Sequence, residues 1–420
     1  MFESNRRKFL TTALTAGIGA TIPFGSRASQ TDTDKLNPAY AKLDAILEKP
    51  VFKKEQFTSP VIIDTLELLR YNDNFICRVR SKDGAVGFSF GQNSQLKSLY
   101  PIFVNRMQPF FIGKDVRDLE SLLEQVLVYE SNYKLQSVAL WVPLATIEFA
   151  ILDMLGRMVN KSIGQLIGDV RNLKIDVYQA NSERDISAEE TIDHLKKELD
   201  ITKAKAIKFK LGGRMSHTEF PVGRSEKLIP LVRKTFGDSM VISADANGSY
   251  NVQEAIKIGK IMQENKYAFY EEPVPFDWYE ETKQVADALT IPIAGGEQEP
   301  SMHNFRWLIA NDGLQIVQAD MFYFGGMVRS MKVARMAEAM GKMHIPHVSS
   351  IGYIYMMHFI SVVPNAGPYH EYKSFKLDFP FECKTSSLVP ENGVVTVPTG
   401  PGLGIEIDPD FIKKHQVLKG

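Results

Sequence analysis

Cysteine is nearly absent: Cys77 and Cys383 are the only two in 420 residues, and they lie far apart. That excludes a disulfide framework and a thiolate metal site. An excess of charge of either sign is missing too. A formal net charge of −1 offers no electrostatic footprint for nucleic acid or an anionic membrane surface. Beyond the N-terminus no apolar run is expected to act as a membrane span. No G-x-G-x-x-G follows the first strand of the second half, which argues against a dinucleotide-binding open sheet. What is present is ordinary globular material, 44% hydrophobic and 24% charged, in a chain long enough for a large barrel plus a second domain.

Along the chain the pattern changes twice. Residues 31–58 form a polar extension with one helical stretch, Pro38 to Leu47, whose Tyr40, Leu43, Ile46 and Leu47 share a face. Three strands are expected at Val61–Arg70, Phe75–Arg80 and Ala85–Phe90, the first two joined by the turn-forming Tyr71-Asn72-Asp73-Asn74. Helical patterns follow at Ser94–Arg106, Asp118–Tyr129 and Trp141–Met158, so residues 59–172 read as an α+β domain. From 173 to 372 short strands alternate with helices. The strands are expected at Ile175–Ala180, Ala206–Leu211, Val241–Ala244, Ala268–Glu271, Ile291–Gly296, Leu314–Ala319, His344–Val348 and Gly367–Glu371. Eight such units predict a βα barrel. The loop-rich tail 373–420 is expected to pack back on the first domain.

Three barrel strands end in an acid: Val241-Ile242-Ser243-Ala244 before Asp245, Ala268-Phe269-Tyr270 before Glu271, and Pro292 to Gly296 before Glu297. Both intervals are 26 residues, the length of one strand, one helix and two short loops. Carboxylates at the C-terminal ends of adjacent parallel strands converge and repel. A hard cation relieves that, and an all-oxygen donor set favours Mg²⁺, with Mn²⁺ the alternative. On the second strand Lys208 and Lys210 alternate with Ile207 and Phe209, so both lysines share a face and enter the mouth if the apolar pair faces the helices. Crowding by another cation is expected to lower a buried lysine's pKa and make it a base. Asp320 and His347 end the sixth and seventh strands, neighbours able to form an acid/base pair. His344 and His358 read as structural, and Glu371 ends the eighth strand.

The ordered set Lys-x-Lys, Asp, Glu, Glu, Asp, His, Glu at successive strand ends resembles the enolase superfamily, specifically its mandelate racemase-like subgroup, over residues 60–410. The resemblance implies an α+β cap on a modified (β/α)₇β barrel. It also implies Asp245, Glu271 and Glu297 as Mg²⁺ ligands, with Lys210 as one base and Asp320–His347 as the other. Lys208 would lie beside the substrate carboxylate, and Asn247 and Glu371 would contact substrate. The implied chemistry is abstraction of the proton α to a carboxylate through an enediolate, as general principles describe for this superfamily. With two bases flanking the substrate, the leading outcome is dehydration of a sugar acid to a 2-keto-3-deoxy acid; racemisation, epimerisation or cycloisomerisation uses the same groups. A non-catalytic carbohydrate-binding protein would lack one or more of these residues. Relatives on this fold are commonly homo-oligomers, and nothing in the sequence specifies a state.

Two departures stand out. A long loop, Gly212 to Arg224, brings Arg214, His217 and Arg224 toward the mouth, where either arginine could meet an acidic or sugar-like substrate. The link between the first two cap strands is too short to close the site, so Leu36–Phe57 or Ser89–Gln95 is expected to supply a lid. Finally, Asn5-Arg6-Arg7-Lys8-Phe9-Leu10 looks like a twin-arginine motif, followed by a mild apolar run and Ser26-Arg27-Ala28. Residues 1–30 therefore read as a signal peptide for export to a bacterial periplasm.

Overall fold

The computed structural model describes residues 37–348, 351–373 and 380–420; the twin-arginine stretch lies outside them. The cap is an antiparallel meander of β1 (Ile63–Tyr71), β2 (Asn74–Ser81) and β3 (Val86–Phe90). The helix Val138–Met158 lies against this sheet, burying Leu144, Ile147, Ile151 and Leu155 in one continuous core with β1 and β2. By length and composition this helix is apolar enough to cross a membrane, contrary to the sequence expectation. However, 89% of its most apolar stretch is buried inside the protein, so its apolarity belongs to the core.

Eight parallel strands follow. They are β4 (Lys174–Ala180), β5 (Ala206–Lys210), β6 (Val241–Asp245), β7 (Tyr270–Glu271), β8 (Ile293–Gly295), β9 (Ile316–Val317), β10 (Met343–His344) and β11 (His370–Tyr372). The order is β10-β9-β8-β7-β6-β5-β4-β11, and a parallel bridge between His344 and Ala366 joins the two ends into a ring. Ile207 and Phe209 pack outward with Leu228, Ile229 and Val232. Inside the ring Tyr178, Ala206, Phe269, Ala294, Ile316 and Ile345 form a plug, leaving the rows above it for polar side chains. The fold is thus the modified (β/α)₇β barrel with an α+β cap. C-terminal to it, β12 (Phe381–Glu382) pairs with β14 (Glu406–Ile407), β13 (Val394–Thr396) extends β4, and β15 (Gln416–Val417) adds an edge to β1.

The helix of the extension packs on the outside of the barrel, where a lid was expected. Tyr40, Leu43 and Ile46 of the helix Ala39–Leu47 are buried against Phe305, Ile309, Val333 and Met336 on the barrel's outer helices. Arg306 fixes it through Asp44 at 2.6 and 2.7 Å. An apolar stripe needs an apolar surface to cover, and the outer ring supplies it. The Ser89–Gln95 segment is tied down as well, with Ser89 donating to Thr146 O at 2.6 Å and Phe90 N donating to Tyr355 at 2.8 Å.

One buried acid couples cap to barrel. Glu148 on Val138–Met158 accepts from the amides of Met327 (2.5 Å) and Val328 (3.1 Å), which open the helix Met327–Ala339. Gly326 sits at φ +115°, and a Cβ there would lie 2.0 Å from the Glu148 carboxylate, so only glycine fits. Burial pushes the Glu148 carboxyl up to about 8, against the pull of the two amides and Arg329. Removing the acceptor strands two buried donors at a helix start. Glu148→Ala is therefore expected to cost about 2–4 kcal/mol of stability in chemical denaturation; a loss below about 1 kcal/mol would show that water replaces the cap.

Candidate active site

The register across the sheet sets the site. Lys210 on β5 pairs with Asp245 on β6, and Asp245 pairs with Glu271 on β7, so these side chains form one row at the strand ends. Glu297 lies beyond β8, carried inward by Gly296 at φ +105°, whose absent Cβ would meet the Phe305 ring at 2.5 Å. Asp245, Glu271 and Glu297 are all buried and offer oxygens within 4.8 Å of one another. Like charges about 4 Å apart repel by about 4 kcal/mol at an effective dielectric near 20.

The flanking groups answer that repulsion only in part. Lys208 donates to both Glu271 oxygens at 2.8 and 2.6 Å and stands 3.7 Å from Glu371. Gln318 Nε2 also donates to Glu271, at 2.8 Å. Lys210 pairs with Asp245 and approaches Asn247 Oδ1 at 3.2 Å. Burial would lower the Lys208 pKa, but Glu271 and Glu371 raise it well above the usual lysine value. The expectation of a depressed lysine pKa is thus reversed at Lys208, because carboxylates rather than cations crowd it. Against the cost of burial, Lys210 and Lys208 hold Asp245 below the usual range. Burial drives Glu271 up to about 7 despite Lys208, with Asp245 and Glu297 adding to the rise. One oxygen of Glu297 is buried with no hydrogen-bond partner among the described residues. A carboxylate oxygen free of hydrogen bonds, inside a buried, all-oxygen acid cluster, fits a hard divalent cation.

On the opposite wall His347 Nδ1 meets Asp320 Oδ2 at 2.7 Å, and its Nε2 faces Glu297 at 3.5 Å. Asp320 is itself aimed by the amides of Phe322 and Tyr323 at 2.7 and 3.0 Å. Burial alone would lower the His347 pKa; Glu297 and the Asp320 hydrogen bond raise it to about 9. Glu371 is fully buried and also pairs with Lys373 at 2.9 Å. Asn247 donates its backbone amide to Asp245 Oδ1 at 2.7 Å and its side-chain Nδ2 to Glu272 at 3.2 Å. It and Glu272 sit at φ +43° and +42°, strained backbone of the kind that gathers at binding sites.

The loop from Gly212 is only partly as expected. Arg214 is exposed, and among the described residues its side chain makes no hydrogen bond or ion pair. His217 faces Glu254 at 3.5 Å on the surface. Arg224 is buried and donates to the carbonyls of Ile186 (2.8 Å) and Lys210 (3.0 Å) and to Thr191 (2.9 Å). It is therefore a clamp between β5 and the loop after β4, not a group turned to substrate. His344 and His358 are buried, and burial lowers both, to about 3 and about 4. Three groups escaped the sequence reading. Gln318 and Lys373 each lie within two residues of a named acid. Arg184, in the loop after β4, donates to Asn247 Oδ1 at 2.5 Å; its position beyond the first strand end was the available signal.

Comparison with known proteins adds relatives to this geometry. A family profile described as enolase C-terminal domain-like matches residues 190–411. Arabinonate dehydratase from Saccharolobus solfataricus is 24% identical over 342 residues, covering 80% of this chain and 89% of that protein. D-galactarolactone cycloisomerase from Agrobacterium fabrum is 27% identical over 323 residues, covering 73% and 82%. A mandelate racemase/muconate lactonizing protein from Paracoccus denitrificans, solved with magnesium, matches at TM-score 0.77 and 23% identity over 86% of this chain and 99% of that one. At that identity the last likeness concerns the fold alone.

Proposed function

The chain belongs to the enolase C-terminal domain-like family and is an enzyme of the enolase superfamily; from that premise we propose that it removes the proton α to the carboxylate of a sugar acid and expels the β-hydroxyl, yielding a 2-keto-3-deoxy acid. The observation that carries this reading is the pairing of a buried Asp245–Glu271–Glu297 cluster with Lys210 on one wall and His347–Asp320 on the other. Asp245, Glu271 and Glu297 would hold Mg²⁺, or Mn²⁺ in its place, and the cation would acidify the α-proton of a carboxylate bound to it. Lys208, kept cationic by Glu271 and Glu371, stabilises the negative charge that spreads onto the substrate carboxylate as the proton leaves. Lys210 takes the α-proton. His347, held protonated by its acid neighbours, delivers a proton to the departing hydroxyl, which leaves as water, and the resulting enol tautomerises to the ketone.

Groups on opposite faces also suit a racemase, epimerase or cycloisomerase, in which the second group returns a proton to carbon. One assay separates these outcomes. The Mg²⁺-loaded protein is incubated with a library of acid sugars in D₂O, and both 2-keto acid and deuterium at the α-carbon are measured. Keto acid is the expected product. Deuterium uptake without keto acid would overturn dehydration in favour of isomerisation, and neither signal would favour a binding protein. Export directed by Asn5–Leu10 belongs to the same proposal; cell fractionation of the intact chain against an Arg6→Lys, Arg7→Lys variant tests it.

A further inference from the structure

Arg184 reaches the mouth from the loop after β4, outside the set of acids and bases that the proposed reaction uses. Its Nη2 is spent on the neutral Asn247 Oδ1 at 2.5 Å. Its Nε is buried with no hydrogen-bond partner among the described residues. Among the described residues no carboxylate stands within ion-pair distance of this guanidinium. Of the two acids beside it in the chain, Glu183 is committed to His194 and to Asn181, the latter at 3.1 Å, and Asp185 is exposed. A buried, unmatched donor on a cation is costly to maintain.

A second cation aggravates the imbalance. Arg214 comes from the loop after β5, which is pinned over the end of β6 by Arg214 N donating to Ser249 Oγ (2.9 Å) and Met215 N donating to Asn247 O (2.8 Å). Burial lowers the Arg184 pKa first, and the charge of Arg214 lowers it further, Asp245 and Glu297 pulling the other way. Arg214 also lacks an acid partner among the described residues. The two loops thus bring two arginines, neither ion-paired among the described residues, to the turn Asn247–Ser249. Asn247, the contact of Arg184, touches both Asp245 (2.7 Å) and Lys210 (3.2 Å). The rim thus lies one residue beyond the groups assigned to the α-carbon end of the substrate.

We propose that Arg184, assisted by Arg214, binds a second carboxylate at the far end of the substrate, so that the preferred substrates are dicarboxylic sugar acids rather than monocarboxylic ones. This rests on the proposed reaction for the orientation of the near carboxylate, toward Lys208 and the acid cluster. An incoming carboxylate would supply the missing acceptor to Arg184 Nε and screen the two arginines from each other. A hydroxymethyl group at that end would leave both needs unmet.

The test is a matched panel of five- and six-carbon aldonates and the corresponding aldarates, titrated calorimetrically into the Mg²⁺-loaded full-length protein. At least one aldarate is expected to bind about tenfold or more tightly than its aldonate, a gap typical of one charge-assisted contact. Arg184→Gln is expected to erase that gap by weakening the aldarate. Arg214→Gln, at an exposed position that leaves the fold intact, should narrow it in the same direction. Equal affinity across every matched pair, or a gap untouched by both substitutions, overturns the proposal. The same samples in D₂O keep the two readings apart. An aldarate preference without α-deuterium exchange refutes the reaction but not the recognition, whereas exchange with no preference refutes the recognition alone.

Discussion

Glu297→Gln is expected to cut kcat/KM by at least about 10³-fold and to remove the rise in melting temperature that Mg²⁺ gives the parent protein. One oxygen of Glu297 has no hydrogen-bond partner among the described residues and faces His347 Nε2 at 3.5 Å, so its charge is available to a cation and to His347. An amide keeps the shape but weakens a hard-cation site that draws its affinity from charge. Saturating a folded-state site at about 100 times its Kd adds about 2.7 kcal/mol to stability, which melting curves with and without Mg²⁺ detect easily. The substitution also removes the neighbour that does most to raise His347. That loss opposes the relief of repulsion among Asp245, Glu271 and Glu297, so the apo variant should melt close to the apo parent. A variant that retains both the Mg²⁺-dependent shift and turnover would dismiss Glu297 as a ligand.

Lys210→Met and His347→Asn are expected to lower kcat by about 10²–10⁴-fold each, the range of a lost general base or acid, while KM moves far less. Their defects should differ in kind. With Lys210 replaced, α-deuterium exchange stops along with product formation. With His347 replaced, exchange persists while loss of water stops, because the proton comes off but the hydroxyl receives none. If both variants lose exchange equally, His347 is not a dedicated proton donor to the leaving group. The parent should show an alkaline limb set by His347: its folded pKa is raised, so the proton is held below that value and lost above it. A cation on Glu297 cancels part of the rise, which places the limb between the ordinary imidazole range and about 9.

Much of the placement of these side chains is legible in the sequence, and the reason is periodic. Barrel strands repeat at a fixed interval and end where side chains must turn inward, so Asp245, Glu271, Asp320 and His347 could be located by spacing. Lys208 and Lys210 followed from two-residue alternation, and the structure turns Ile207 and Phe209 outward as that required. What escaped lies where no period operates. Whether Arg214 or Arg224 faces the mouth depends on how one irregular loop folds, and carbonyl acceptors at Ile186 and Lys210 claimed Arg224. Arg184 sits four residues past its strand, beyond any fixed geometry. The lid expectation failed because the apolar face of Ala39–Leu47 has a better partner in the barrel's outer helices than over a polar mouth.

The edge strand β15 joins residues near 416 to residues near 70, which has consequences for how the chain is made. Chains generally condense from the N-terminus as they emerge from the ribosome, yet here the first sheet stays open on one side until the whole barrel and nearly the whole chain have been translated. Leu68 O and the backbone of Leu69 and Arg70 then receive their partners from Gln416 to Leu418. During that interval β1 is an unpaired edge, a template for pairing with another nascent chain. Yield of folded protein should therefore respond to chaperone supply during synthesis more than to the stability of the finished molecule.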